Sequence, residues 1–144
     1  MLQNLNRQRQ MPQAQPFLAP GNGHQNANRR KAMDWVLQHV PEVTAIDERT
    51  VAFAPYGTCH FSAYTHPKGA MISSTGRDDN TYGSADWHAC DRIMMFRDFA
   101  DGRCMIYVCP IKPLLGVRTI GHHGVTWEDV LRLAEFKRVF RVET

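Results

Sequence analysis

Two apolar runs separated by a tight-turn signal constrain the fold of this chain more than any other feature. Residues 90–96 and residues 104–109 are both rich in β-forming residues, and Asp101-Gly102 lies between them. An Asp-Gly pair flanked by apolar runs is a strong signal for a two-residue β-turn. The sequence therefore predicts a central hairpin formed by residues 90–96 and 104–109.

The turn also fixes the register of this hairpin. Two turn residues at Asp101-Gly102 place Phe96 opposite Tyr107, and the same pairing places Asp91 opposite Lys112. A longer turn would shift every pair. Because alternate residues of a strand point to opposite sides, the apolar residues lie on both faces of the hairpin. We therefore expect a sheet that is covered on both faces.

Helix and strand signals around the hairpin predict a single α+β domain at residues 28–144, with a mixed or antiparallel sheet. Apolar residues at helical spacing predict an N-terminal helix that begins near Asn28 and ends before Pro41. Thr126 and Asp129 form the capping-box pattern of a C-terminal helix. Shorter β-forming runs predict further strands at 43–46, 50–54, 59–65 and 139–142.

Length and composition indicate one globular domain. The chain has 144 residues, of which 43% are hydrophobic and 22% are charged. No apolar run approaches the roughly 20 residues that span a bilayer, and the polar N-terminus lacks the apolar core of a signal peptide. We expect a soluble, cytoplasmic protein without a membrane partner. Its four cysteines favour buried free thiols in a reducing compartment.

Residues 1–27 form a basic arm rich in Gln and Asn, and this composition predicts disorder. Residues 1–31 hold five basic residues and no acid, a charge of +5; because the whole chain carries +3, the remainder carries −2. Cationic side chains contact phosphates, so the candidate binding residues lie in this region. They are Arg7, Arg9, Arg29, Arg30 and Lys31.

Cysteine and histidine residues suggest a zinc site. Thiolate and imidazole are the ligands that zinc prefers, and His88 and Cys90, two residues apart on a strand, would point to one face. Cys59 is a further candidate ligand. The chain contains no Cys-x-x-Cys motif, so the pattern favours ordinary buried thiols over a structural zinc.

Acidic residues near the start of the hairpin, together with a lysine, predict a candidate magnesium site. Asp86 and Asp91 would hold the metal, and Lys112 would orient or activate the attacking water. The alternative is an ordinary cross-strand ion pair between Asp91 and Lys112.

A helix that leads into a mixed sheet, with acids and a lysine at strand ends, resembles the architecture of the PD-(D/E)xK nucleases. That family has an acid two residues before its lysine, where this chain has Pro110 before Lys112. The resemblance implies a magnesium-dependent nuclease whose motif is displaced, or a relative that has lost catalysis.

The contrast between a basic arm and an acidic remainder leads us to expect a small non-catalytic binding or regulatory protein without a cofactor. Its arm would engage nucleic acid or an acidic protein partner. Two alternatives stay open. One is the magnesium-dependent nuclease that uses Asp86, Asp91 and Lys112. The other is a homo-oligomer or assembly component whose arm lies along a neighbouring subunit.

Overall fold

The computed structural model describes residues 16–20, 23–65, 69–70, 90–99, 101–118 and 125–142. Within these ranges the chain forms one α+β domain that contains a six-stranded mixed sheet and three helices. The predicted fold class is confirmed, including the central hairpin and a helix towards each end. Among the described helices, none is long and apolar enough to cross a membrane.

The elements follow in chain order. Helix α1 (Gln25–His39) leads into strands β1 (Val43–Asp47), β2 (Thr50–Phe53) and β3 (Gly57–Tyr64). The short strand β4 (Gly69–Ala70) precedes β5 (Arg92–Asp98), β6 (Arg103–Pro110) and helix α2 (Ile111–Arg118). The last described elements are β7 (Val125–Thr126), helix α3 (Trp127–Leu133) and β8 (Phe136–Arg141).

The large sheet has the strand order β1-β2-β3-β5-β6-β8. Neighbouring strands are antiparallel, except that β3 and β5 run parallel. Strands β1 and β8 are therefore the two edges of this sheet, and they run in the same direction. Strands β4 and β7 pair separately as a small two-stranded sheet.

The central hairpin is buried on both sides, as predicted. Helix α1 covers one face, where Met94 and Phe96 of β5 join its apolar cluster. Helices α2 and α3 cover the other face, where Ile93, Met95 and Tyr107 join a second cluster. We call these two sides the α1 face and the α3 face. Successive residues of β5 enter opposite clusters, because a strand alternates its side chains.

The predicted register of this hairpin is wrong by one residue, because the turn is longer than expected. Phe96 lies opposite Ile106 rather than Tyr107. The N–H of Phe99 donates to the carbonyl oxygen of Arg103 at 2.9 Å, so three residues separate this last pair. Gly102 has a φ of +86°, the left-handed conformation that closes a three-residue hairpin loop.

The longer turn also changes the partner of Asp91. The N–H of Ile111 donates to the carbonyl oxygen of Asp91 at 2.9 Å, so Ile111 takes the position expected for Lys112. Helix α2, which the sequence patterns did not predict, begins at this residue. Pro113 falls in its first turn, where backbone N–H groups have no partner within the helix and proline is tolerated.

The predicted capping box at the start of α3 is confirmed. Thr126 Oγ1 accepts a hydrogen bond from the backbone N–H of Asp129 at 3.2 Å, and the N–H of Thr126 donates to Asp129 Oδ2 at 3.4 Å. The final strand, β8, begins at Phe136, earlier than the expected residue 139. All four cysteines are free, and Cys90 alone among them is not fully buried.

Part of the predicted disordered arm packs against the domain. Residues 16–20, which we call the N-terminal segment, lie on the α1 face, where Leu18 is 1% exposed and belongs to the apolar cluster. Helix α1 also begins at Gln25, earlier than the expected Asn28. The folded domain therefore begins before residue 28, whereas residues 1–15 lie outside the described part.

Side chains hold the N-terminal segment in place. Asp98 Oδ2 accepts a hydrogen bond from the N–H of Leu18 at 2.8 Å. The amide of Asn28 binds both backbone groups of Ala19: Oδ1 accepts from the N–H at 2.9 Å, and Nδ2 donates to the carbonyl oxygen at 2.8 Å. These bonds satisfy backbone groups that no neighbouring strand pairs.

We expect Leu18→Ala to lower the free energy of unfolding by about 2–5 kcal/mol, because the truncation leaves a cavity in the core. Leu131→Ala is the matched control. Leu131 is 38% exposed on α3, so the same substitution there should change stability by less than about 0.5 kcal/mol. Urea unfolding of both variants measures the difference, and equal losses would contradict the buried position of Leu18.

Burial raises the pKa of the Asp98 carboxyl above its ordinary value of 3.8, although the hydrogen bond from Leu18 opposes the shift. A carboxyl whose pKa is raised on folding binds more protons in the folded state, so its ionisation removes stability as the pH rises. Relative to Asp98→Asn, the unmodified chain should therefore lose stability between pH 3.8 and the raised pKa, with no further loss above it. Urea unfolding of both chains across this range checks the expectation; identical pH dependence of the two would refute it.

Candidate anion-binding surface

The three described cations of the predicted binding region have different surroundings. Arg29 is 2% exposed, and its Nη1 donates to Asn26 Oδ1 at 2.7 Å, so it is not available at the surface. Lys31 Nζ donates to the carbonyl oxygen of Phe17 at 2.8 Å, and it also lies 4.4 Å from the centre of the Phe17 ring. Lys31 is exposed and anchors the N-terminal segment through these contacts; Arg30 is also exposed. Arg7 and Arg9 lie outside the described residues.

The two described candidates for zinc ligands pack in different apolar clusters. Cys59 belongs to the cluster of the α1 face, and Cys90 packs against the cluster of the α3 face. Burial raises the pKa of the Cys59 thiol to about 12, which disfavours the thiolate that zinc binds. No group of three His, Cys, Asp or Glu side chains in the described ranges is arranged to hold a metal ion. His88 lies outside these ranges.

Two of the three predicted nuclease residues line one open cleft. Asp91 and Lys112 lie beside Pro110 and Ile111, around a space of about 290 Å³ at the start of α2. Both side chains are exposed. The ion pairs of the described residues do not include one between Asp91 and Lys112, so the expected cross-strand pair is not formed. Asp86 lies outside the described residues.

Four cations that strand pairing brings together form a surface that we call the basic patch: Arg97, Arg103, Lys137 and Arg141. Arg103 lies directly opposite Arg141, and Lys137 lies directly opposite Tyr107. Arg97 lies opposite Met105. Because directly opposed residues share a face of the sheet, and alternate residues of a strand do too, all four side chains project from the α3 face.

Aromatic rings hold the guanidinium group of Arg97. Its Cζ atom lies 4.4 Å from the ring centre of Phe99 and 4.6 Å from that of Trp127. Its Nη1 donates to the hydroxyl of Tyr107 at 3.1 Å. The Cζ atom of Arg103 also lies over Phe99, at 4.9 Å. Each such contact contributes about 0.5–2 kcal/mol and fixes the orientation of the guanidinium plane.

The charge of the basic patch is poorly compensated. Among the described carboxylates, Asp101 alone bonds to a patch residue: its Oδ2 accepts from Arg103 Nε at 2.8 Å. Arg141 lies opposite Arg103, and like charges at directly opposed positions of a sheet repel each other. An anion bound between the two guanidinium groups would relieve this repulsion.

Arg138 adds a positive charge on the α1 face of the edge strand β8. Its Cζ atom lies 5.1 Å from the ring centre of Phe136 and 5.7 Å from that of Phe140. Lys137, Arg138 and Arg141 are all exposed. The edge strand is therefore basic on both faces, and Arg138 lies beside two aromatic rings.

The basic patch lies outside the residues predicted from the sequence to bind a partner. Residues 32–144 together carry a charge of −2, and this sum hides a local excess of cations. A shorter window contains the signal, because residues 136–142 hold Lys137, Arg138 and Arg141 and no acid. Arg97 and Arg103 join the basic patch through strand pairing, and a local stretch of sequence does not reveal that pairing.

Comparison with known proteins gives no match: neither a family model, nor a curated protein, nor a solved structure matches this chain. The interpretation of the basic patch therefore rests on its geometry and charge.

Proposed function

We propose that this chain is a non-catalytic protein that binds nucleic acid through the basic patch. The observation that carries the proposal is the opposed pair Arg103 and Arg141, next to Arg97 between the rings of Phe99 and Trp127. Guanidinium groups present paired N–H donors that match phosphate oxygens. Stacking on rings holds two of these groups in place, which lowers the entropy that they lose on binding a phosphate.

The aromatic component of the surface favours single-stranded nucleic acid. Unpaired bases stack on aromatic side chains and on guanidinium planes, and a sheet face that carries such groups suits a splayed strand. In this proposal Arg103, Arg141 and Lys137 contact phosphates, while the half-buried ring of Phe99 contacts a base. The guanidinium plane of Arg97 already lies against Phe99 and Trp127, so Arg97 contributes charge rather than a stacking surface. Sequence preference would then be weak, because every base has a stacking face.

In this proposal the arm contributes positive charge, but it does not form the whole binding site. Arg7 and Arg9 contribute long-range attraction to an anionic partner. An acidic protein would also be attracted by these cations, but carboxylates gain nothing from the aromatic rings that lie among them. A cytoplasmic location belongs to the same proposal, and the four free thiols support it because cytoplasmic thiols stay reduced.

Two charge-matched variants should locate the binding site. Lys137→Gln with Arg141→Gln removes two cations from the basic patch, and Arg7→Gln with Arg9→Gln removes two from the arm. We expect the patch variant to reduce the slope of log affinity against log salt by about 1.4, since each phosphate contact on a single strand contributes about 0.7. The arm variant should reduce it less. Fluorescence anisotropy with a labelled single strand, at several salt concentrations, measures both slopes.

A duplex of the same sequence serves as a control for strand preference and should bind more weakly. Loss of binding in the arm variant alone would move the site to the arm. A chain that binds neither single strand nor duplex at low salt would refute the proposal, and binding to an acidic polypeptide instead would indicate a protein partner.

A magnesium-dependent nuclease is the second candidate, and the shared cleft of Asp91 and Lys112 favours it. A metal held there would need a second carboxylate, which the sequence supplies at Asp86. In this alternative Asp91 binds magnesium and Lys112 orients the attacking water.

Asp91→Asn is the variant that tests the nuclease. If the cleft is catalytic, the unmodified chain should cleave a labelled strand in magnesium but not in chelator, and the variant should lose this activity while keeping its far-UV circular dichroism. Glu128→Gln, an exposed carboxylate on α3, is the control and should cleave normally. Absence of magnesium-dependent cleavage by the unmodified chain would exclude this candidate.

A further inference from the structure

The two edges of the six-stranded sheet carry opposite charge. Strand β8 has the exposed cations Lys137, Arg138 and Arg141, and residues 136–142 contain no acid. At the opposite edge, β1 follows Glu42, ends at Asp47 and precedes Glu48, and residues 40–48 contain no Lys or Arg. The next residue, Arg49, has its Nε 3.9 Å from Glu48 Oε1, so Glu42 and Asp47 provide the negative charge of this edge. All three of these carboxylates are exposed.

Each edge strand also exposes one large aliphatic side chain. Ile46 of β1 is 54% exposed, and Val139 of β8 is 53% exposed. Among the large hydrophobic side chains of the described residues, only Leu131 on α3 is otherwise exposed. β-Branched residues are typical of strands that are paired on a half-buried surface, so their exposure on both edges suggests a covered state.

In the described part of the chain, each edge strand has a single neighbour: β1 pairs with β2, and β8 pairs with β6. The outer backbone groups of an edge strand can accept another strand. Pairing β8 with a second β8 would bring cations together, and pairing β1 with a second β1 would bring carboxylates together. Both arrangements are unfavourable, because like charges on adjacent strands repel.

We infer that copies of this chain associate edge to edge, with β1 of one copy against β8 of the next. Strands β1 and β8 run in the same direction within one copy, so a neighbour in the same orientation pairs its β1 parallel to β8. The sheet then continues from copy to copy. Such a contact joins two different surfaces, so it generates a chain or a ring of copies rather than a closed pair.

The spacing of the charges fits this parallel pairing. Lys137 and Arg141 are four positions apart in β8, whereas Glu42 and Asp47 are five positions apart. The register of β1 against β2 shifts between Ala45 and Asp47, and a bulge of this kind lets two residues occupy the length of one. The two spans therefore match, and a carboxylate lies near a cation at both ends of the contact.

The same bulge limits the strength of the contact. It shortens the regular part of β1, and both bulges and charged residues at an edge weaken strand addition. The association is therefore reversible, grows with protein concentration and weakens with salt, because its ion pairs are exposed. The contact engages Lys137 and Arg141 of the basic patch, so it competes with nucleic-acid binding by the patch but does not require that binding.

Charge reversal on each edge tests the inference on the full chain, purified free of nucleic acid. One variant carries Lys137→Glu and Arg141→Glu; the other carries Glu42→Lys and Asp47→Lys, the two carboxylates that the spacing places beside those cations. Light scattering after gel filtration, over a series of concentrations at low salt, measures the mean mass. The unmodified chain should form species larger than a dimer as concentration rises, and each variant alone should stay monomeric because its two edges then share one sign.

An equimolar mixture of the two variants should recover the association, since the reversed β8 of one variant meets the reversed β1 of the other. This recovery distinguishes charge pairing from misfolding of either variant. The inference is overturned if the unmodified chain stays monomeric, if its mass stops at that of a dimer, if either variant associates like the unmodified chain, or if the mixture stays monomeric.

Discussion

Burial of the β5–β6 hairpin on both faces is the constraint on which the rest of this structure depends. Met94 and Phe96 enter one apolar cluster, while Ile93 and Met95 enter the other. Each large apolar side chain stabilises the fold by about 1.5–3 kcal/mol when it is removed from water. A hairpin with this pattern cannot lie at the surface, so α1 must cover one face and α2 with α3 must cover the other.

Helices α2 and α3 do not cover the α3 face as far as the end of the sheet. Trp127 of α3 reaches Arg97, and the side chains beyond it, Arg103 and Arg141, are exposed. Burying a charged side chain without a partner costs free energy. The uncovered end of the sheet is therefore where three neighbouring strands can each carry a cation. The same sheet thus provides a core in its middle and a candidate binding surface at one end.

The N-terminal segment shows how tertiary contacts override composition. A region rich in Gln, Asn and Pro predicts disorder, because it has too few apolar groups to offset the entropy of ordering. Leu18 supplies one large buried side chain, and Asn28, Lys31 and Asp98 bind the backbone around it. Those partners are distant in sequence or lie on another element, so the arm's own composition does not reveal them.

Local patterns in the sequence by themselves determined the central hairpin, its coverage on both faces, the α+β class and the capping box at Thr126 and Asp129. Alternation, turn chemistry and helix capping act between residues a few positions apart, so they can be read along the chain. The length of the hairpin loop was the first exception: a three-residue loop ending at Gly102 moved every cross-strand pair by one position, and Asp91 lost Lys112 as its partner.

Only the tertiary structure decided the burial of Arg29, the packing of Cys59 and Cys90 in different clusters and the assembly of the basic patch. Arg97, Arg103 and Arg141 are brought together because β6 lies between β5 and β8. This strand order depends on which strands bury their apolar faces together. The free energy of such burial involves residues that are far apart in the chain. The sequence therefore supplied the charges, and the order of the strands placed them on one surface.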